Sequence, residues 1–216
     1  MAPYRTIRVP PVLPEPLYRS LVWLDVRVAV LFSIGVPLVL LVWAAVRREA
    51  ALVRLLGIYW KVASLLLITV LLLTDNKPLG YLLAFLAQLL VVVSVWFWVD
   101  LNEELDDLPP WRPLPFVVRA WRWGLSVYGV LGALLSARAL DCVRGGVTRP
   151  VCRVWLEAPD DLHGGVASFF TFVFGGSWTG TIAAFVGYVA LVAYGVGALQ
   201  WLLVKLPKQG RVAGGF

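Results

Sequence analysis

The chain has 216 residues, of which 60 % are hydrophobic and only 15 % charged, with a formal net charge of +6. That composition excludes an ordinary soluble domain, whose helices are apolar on one face only. The positive charge is spread over every loop with no basic stripe of interleaved aromatics. This argues against nucleic-acid binding and for topology signals and contact with membrane lipids.

Residues 1–18 carry Pro3, Pro10, Pro11, Pro14 and Pro16, which preclude a helix before about Leu17. Arg5 and Arg8 precede no short apolar core of the signal-peptide kind. Leu17 to Arg27 reads as a helical lead-in, with Arg19, Trp23 and Arg27 near the interface. The first span is expected at 28–46, bent near Gly35-Val36-Pro37. Arg47 and Arg48 close it, where cations suit both the helix dipole and the membrane surface. The second span, 55–74, holds Lys61 one to two turns inside. Its stem can snorkel to the interface, or its ammonium can meet a carboxylate from another helix.

Asp75-Asn76-Lys77-Pro78 is a tight polar turn, so the second and third spans form an antiparallel hairpin. The third span is expected at 79–99. Its midspan Gln88 suits a hydrogen bond to a neighbouring helix, and less readily a transport path.

Trp96-Phe97-Trp98-Val99-Asp100-Leu101-Asn102-Glu103-Glu104-Leu105-Asp106-Asp107 then joins the end of this apolar run to the densest group of carboxylates. Asp100, Glu103, Glu104 and Asp107 fall at i, i+3, i+4 and i+7, one face of a continuing helix. Such acids repel one another and oppose the dipole at a helix C-terminus, each conflict costing about 0.3–1 kcal/mol. Arg119 and Arg122 of the fourth span, with Arg47, Arg48 and Arg54, are expected to offset this as a salt-bridge cluster. Contact with a partner protein is the next reading. A metal or catalytic carboxylate site ranks last, because a hard cation needs convergent oxygens rather than a linear run.

Pro109, Pro110, Pro113 and Pro115 stiffen the connection to the fourth span, 116–137. There Gly129 and Ala133, and likewise Gly132 and Ser136, share a face that permits close helix contact. Residues 138–165 read as the longest hydrophilic loop. It holds Cys142 and Cys152, whose spacing suits a small disulfide if the loop faces an oxidising compartment, and otherwise two free thiols. Residues 166–174 form a short apolar segment, either interfacial, re-entrant or an extension of the last helix. The fifth span, 181–204, carries Ala183, Gly187 and Gly195 on one face and is followed by Lys205, Lys208 and Arg211. The expected fold is an all-α polytopic membrane protein with five transmembrane helices in a single membrane domain over 1–216.

Five spans place the termini on opposite sides. The side holding the first and third connections and the C-terminal tail, here side one, carries ten of the 19 basic residues, which leaves orientation open. Eight of the eleven tryptophans fall there: Trp43, Trp60, Trp96, Trp98, Trp111, Trp121, Trp123 and Trp201. This one-sided tryptophan belt suggests a surface for lipid heads, pigments or another membrane protein. An oxidised cysteine loop on the opposite side would make side one cytoplasmic and put the N-terminus outside.

His163 is the only histidine, which excludes a histidine-rich metal site within one chain. No phosphate loop, serine nucleophile elbow or zinc-protease helix motif occurs. Gly175-Gly176-Ser177-Trp178-Thr179-Gly180 reads as a helix entry rather than a phosphate cradle. No catalytic residue, metal or cofactor is implied, and the reading leans away from an enzyme.

Five stretches together resemble an uncharacterised family of small integral-membrane proteins typical of cyanobacteria, a domain-of-unknown-function group. They are Leu17-Tyr18-Arg19-Ser20-Leu21-Val22-Trp23, Tyr59-Trp60-Lys61-Val62-Ala63-Ser64-Leu65, Trp96 to Glu104, Cys152-Arg153-Val154-Trp155-Leu156-Glu157 and Lys208-Gln209-Gly210-Arg211. The resemblance implies a thylakoid or plasma membrane and no activity. The leading expectation is a non-catalytic accessory or assembly protein of a larger membrane complex, photosynthetic or respiratory. The alternative is a small transporter or channel component with a polar path through Gln88 and Lys61, although the inverted repeats of many transporters are missing.

Overall fold

A computed structural model describes residues 15–109, 111–145 and 149–213. The proline-rich segment with Arg5 and Arg8, and Pro110, lie outside the described residues. The described chain is helical and contains no strand: α1 (Glu15–Ala29), α2 (Val36–Arg47), α3 (Ala50–Thr74), α4 (Pro78–Trp96), α5 (Val99–Asp106), α6 (Pro113–Ala137), α7 (Cys142–Gly145), α8 (Pro150–Phe174), α9 (Gly180–Gln200) and α10 (Leu206–Gln209). Among the described residues, five stretches are long and apolar enough to cross a bilayer: Pro16–Arg47, Ala50–Thr74, Pro78–Trp96, Pro113–Arg144 and Gly180–Lys208. The protein is an all-α polytopic membrane protein.

The first span is longer than the sequence suggests. The expected lead-in and the 28–46 run form one helix from Pro16 to Arg47, interrupted by a π turn at Val30–Gly35. Pro37 explains that turn. It has no N–H to give the carbonyl of Ser33 and its ring crowds that carbonyl. The Ser33 oxygen accepts the Tyr59 hydroxyl of α3 instead, at 2.8 Å. The neighbouring Phe32 carbonyl accepts the indole N–H of Trp121 from α6, at 2.9 Å. A local defect in one helix thus fixes two others against it.

α3 and α4 are the centre of the bundle: half of the most apolar stretch of each is buried, against 17 % for the last span. Their hairpin turns through Asn76, which has a positive φ of 51°. There Lys77 meets Asp75 at 3.0 Å, and that contact raises the pKa of the lysine. α6 packs on α4 through Gly129, Gly132, Ala133 and Ser136, all buried. α9 rests on α3 through Ala183, Ala184 and Gly187. A Cβ on Gly187 would stand 3.1 Å from Leu72, so the small side chain sets the approach. At Gly195 nothing lies within 4 Å of that position. Between these two helices and α4 opens a cavity of about 650 Å³, lined among others by Ile58, Lys61, Leu90, Tyr194, Trp201 and Lys205.

Two expected elements differ. The third span ends at Trp96, not Val99, and the acidic residues begin a separate helix. The expected hydrophilic loop 138–165 and apolar segment 166–174 are mostly ordered helix. A 3-10 turn at Arg138–Asp141 and the short α7 extend α6, and α8 then runs unbroken from Pro150 to Phe174. Its first half is amphipathic: Cys152, Val154, Trp155, Ala158 and Pro159 are buried while Arg153 and Asp160 face outward. Mixed polarity that looked like a loop is one helical period seen along the chain. Gly175 ends α8 with φ of 68°, a left-handed cap that favours glycine.

Candidate functional site

Three groupings of polar residues stand out, and the first is the acidic stretch at side one. The break at Phe97–Trp98 changes its electrostatics. Asp100 sits in the first turn of α5, where a carboxylate favours the helix dipole instead of opposing it. Both of its oxygens accept the backbone N–H of Ala213, at 3.0 and 2.9 Å. Arg211 donates to the Phe97 carbonyl at 2.8 Å and lies 5.2 Å from the centre of that ring. The Val99 N–H returns a bond to the Arg211 carbonyl at 3.1 Å. The Arg211–Ala213 segment is therefore strapped across the break between α4 and α5.

The expected pairing of the acids with Arg119 and Arg122 does not form. Arg119 donates to the main-chain carbonyls of Leu105 at 2.6 Å and Leu108 at 3.1 Å, satisfying the open end of α5. Arg122 is only 3 % exposed. It donates to the Val95 carbonyl at 2.6 Å and to the Asn102 side-chain oxygen, and its guanidinium stacks 4.1 Å from the Trp96 ring centre. The planar guanidinium suits this mixed role better than an ammonium would. Arg54 forms an ion pair with an acid of the stretch, Glu104, with 2.7 Å to each oxygen, while Arg122 feels the longer-range attraction of Asp106. Glu103, Asp106 and Asp107 remain exposed on the outer side of α5, while Leu101 and Leu105 face the core.

The tryptophans are also turned inward more than expected. Trp98 and Trp121 are buried, Trp43, Trp60, Trp96 and Trp201 half-buried, and only Trp111 and Trp123 exposed. Edge-to-face contacts link Tyr59 with Trp121 at 5.0 Å, Trp96 with Trp123 at 5.1 Å and Phe97 with Trp201 at 5.7 Å. Most of the one-sided tryptophan excess is therefore internal packing.

The second grouping lies inside the bilayer span. Gln88 of α4 donates from Nε2 to Asp25 Oδ2 of α1 at 3.2 Å, and its own oxygen is 3.5 Å from the Ser136 hydroxyl of α6. Gly132 of α6 leaves the room for this: a Cβ there would be 2.6 Å from Asp25 Oδ1 and 2.7 Å from the Gln88 amide. The Tyr128 hydroxyl faces the same carboxylate and amide, buried without a partner of good hydrogen-bond geometry. At 1.5 Å per residue, Gln88 is about 15 Å along α4, so Asp25 is held near midspan. Lys61 lines the cavity beside α9, and Gln88 is not among the residues lining it.

The third grouping is the opposite rim. Cys142 and Cys152 are disulfide-bonded, holding the start of α8 under α6. Arg19 and the Trp23 indole of α1 both reach Glu157 of α8, at 2.8 and 2.9 Å. Trp155 donates to the Tyr18 hydroxyl at 2.8 Å. His163 lies within electrostatic reach of Asp160 on α8, and among the described residues no group of three or more His, Cys, Asp or Glu could hold a metal ion.

A family model described as a protein of unknown function (DUF3177) matches residues 19–214. The chain belongs to this family. No curated protein and no solved structure matches it. In this DUF3177 chain the stretches that carried the resemblance meet in pairs. Leu17 to Trp23 binds Cys152 to Glu157 at one rim, and Trp96 to Glu104 binds the Arg211 segment at the other. Tyr59 of the remaining stretch anchors the π turn of the first span. These motifs are tertiary clips.

Sequence reasoning missed Asp25. A signal was available: it is the only Asp or Glu between Pro16 and Arg47. Assigning Leu17 to Arg27 to the interface concealed it.

Proposed function

We propose that this protein is a non-catalytic integral-membrane accessory or assembly protein that docks onto a larger complex through the outer face of α5. The observation that supports this reading is the division of charge at side one. Arg119 and Arg122 donate their hydrogen bonds to main-chain carbonyls and Asn102, Asp106 lies within the Coulomb attraction of Arg122, and Glu103 and Asp107 present an exposed acidic face. Trp111, 82 % exposed, and Trp123, 65 % exposed, flank the same side. Exposed aromatics beside one-signed charge suit a basic, membrane-embedded protein partner.

The test replaces Glu103 and Asp107 by Ala, leaving the structural Asp100 and Glu104 untouched, and identifies what co-migrates with the protein in native electrophoresis after gentle solubilisation. Loss of a stoichiometric partner from a protein still inserted and abundant is the expected result. Retention of every partner overturns the docking reading.

The resemblance supports a cyanobacterial thylakoid or plasma membrane, in which the complex would be photosynthetic or respiratory. The Cys142–Cys152 bridge supports an orientation with its rim in the oxidising compartment and side one cytoplasmic. In intact membranes from the native host, a membrane-permeant maleimide should then leave both cysteines unmodified until a reductant is added. Modification without reduction would reverse the orientation.

A further inference from the structure

We propose that Asp25 is a proton-binding site in the bilayer interior, shared with Gln88 across the junction of α1, α4 and α6. The argument begins with what surrounds the carboxyl group. Gln88 from α4, Tyr128 from α6 and Tyr18 two helical turns back on α1 are the polar groups facing it, and Ser136 of α6 faces the Gln88 oxygen. None of them carries a positive charge. Arg138 at the end of α6 faces Tyr18, and Arg27 on α1 is turned outward over the Trp23 ring at 5.8 Å. Among the described residues no salt bridge involves Asp25.

An ionised carboxylate in hydrocarbon without a counter-charge is among the most costly arrangements a membrane protein can hold. Asp25 is half-buried, and a cation or a proton at its carboxyl removes that cost. A metal ion is the poorer fit, because a hard cation needs several convergent oxygens and the room to hold them. On the α6 side there is no such room, since a carbon added at Gly132 would already lie 2.6–2.7 Å from the carboxyl and amide atoms, and among the described residues no group of three or more His, Cys, Asp or Glu could hold a metal ion. A proton needs no such volume. Gln88 Nε2 donates to Asp25 Oδ2 at 3.2 Å, and a neutral amide supplies a hydrogen bond but no counter-charge.

Release breaks the carboxyl O–H bond, passes the proton to a water molecule and leaves a charge on Asp25. That charge weakens the junction of three helices. This chemistry makes the site a proton-linked element of the bundle, separate from the acidic rim of α5.

The test uses the purified full-length protein and a hydrophobic carbodiimide, which modifies protonated carboxyls within apolar surroundings, with a water-soluble carbodiimide as comparison. The hydrophobic reagent should label Asp25, located by peptide mapping. Its rate should fall about tenfold per pH unit once the carboxyl begins to ionise. Mapping in the unaltered chain keeps this independent of how any variant folds. Labelling confined to the α5 acids, or labelling of Asp25 at a rate unchanged across pH, overturns the proposal. Asp25→Asn supplies a second readout, because the amide imitates the neutral acid. The thermal stability of the natural protein should fall as pH rises through ionisation, and that fall should vanish in the variant. An identical pH profile in both proteins would show that Asp25 binds no exchangeable proton.

Discussion

Arg122→Ala is expected to destabilise the solubilised protein by about 3 kcal/mol, the range for losing hydrogen bonds to a buried charged group and orphaning their acceptors. The guanidinium holds the Val95 carbonyl at the end of α4 and the side chain of Asn102 on α5. Asn102 in turn donates to the Trp96 carbonyl at 3.0 Å. Without Arg122 the break between these helices loses its internal support, and the Trp96 ring loses the cation above it. Equilibrium unfolding in a mixed detergent series measures the change. Arg122→Lys should recover part of it, because an ammonium keeps the charge but not the planar stack or the forked donors. A change below about 0.5 kcal/mol, the range of ordinary surface substitutions, would mean that Arg122 is hydrated rather than built into the junction.

Gly132→Leu is the second large effect, expected at about 3 kcal/mol from overpacking a tight helix contact. The added side chain would enter the space now held by Asp25 and Gln88, pushing α6 away from α4 and α1. Gly195→Ala is the matched control, since its Cβ meets nothing within 4 Å and its effect should stay within about 0.5 kcal/mol. The cause can be isolated. Combining Asp25→Ala with Gly132→Ala should cost less than the sum of the single changes, because residues in contact couple. Strict additivity would show that the clash lies elsewhere.

Both predictions concern residues whose types were visible in the sequence and whose roles were not. Arg122 looked like one of several cations available to the carboxylates. It lies three residues after Arg119, and nothing in that spacing says that both side chains turn to main-chain carbonyls. The deciding factor was the helix break at Phe97–Trp98, which leaves carbonyls of α4 without intrahelical partners and brings them within reach of α6. Gly132 was recognised as a small residue at a close contact, and that reading holds. What it makes room for was hidden, because Asp25 is 107 positions away in the chain.

The sequence by itself determined that this is an all-α protein of five membrane-crossing helices, because long runs apolar on every side satisfy their backbone groups in lipid only as helices. It also placed the α3–α4 turn, the irregularity before Pro37, the small-residue face of α6 and, at Ala183 and Gly187, that of α9, since each follows from local chemistry. Tertiary structure alone decided which charges are internal ties and which face outward. It joined the Arg211 segment to Phe97 and Asp100, set Arg19 and Trp23 against Glu157, and gave Gln88 its carboxyl partner. Those contacts depend on which helix faces which, and hydropathy along a chain that is apolar all round carries no such information.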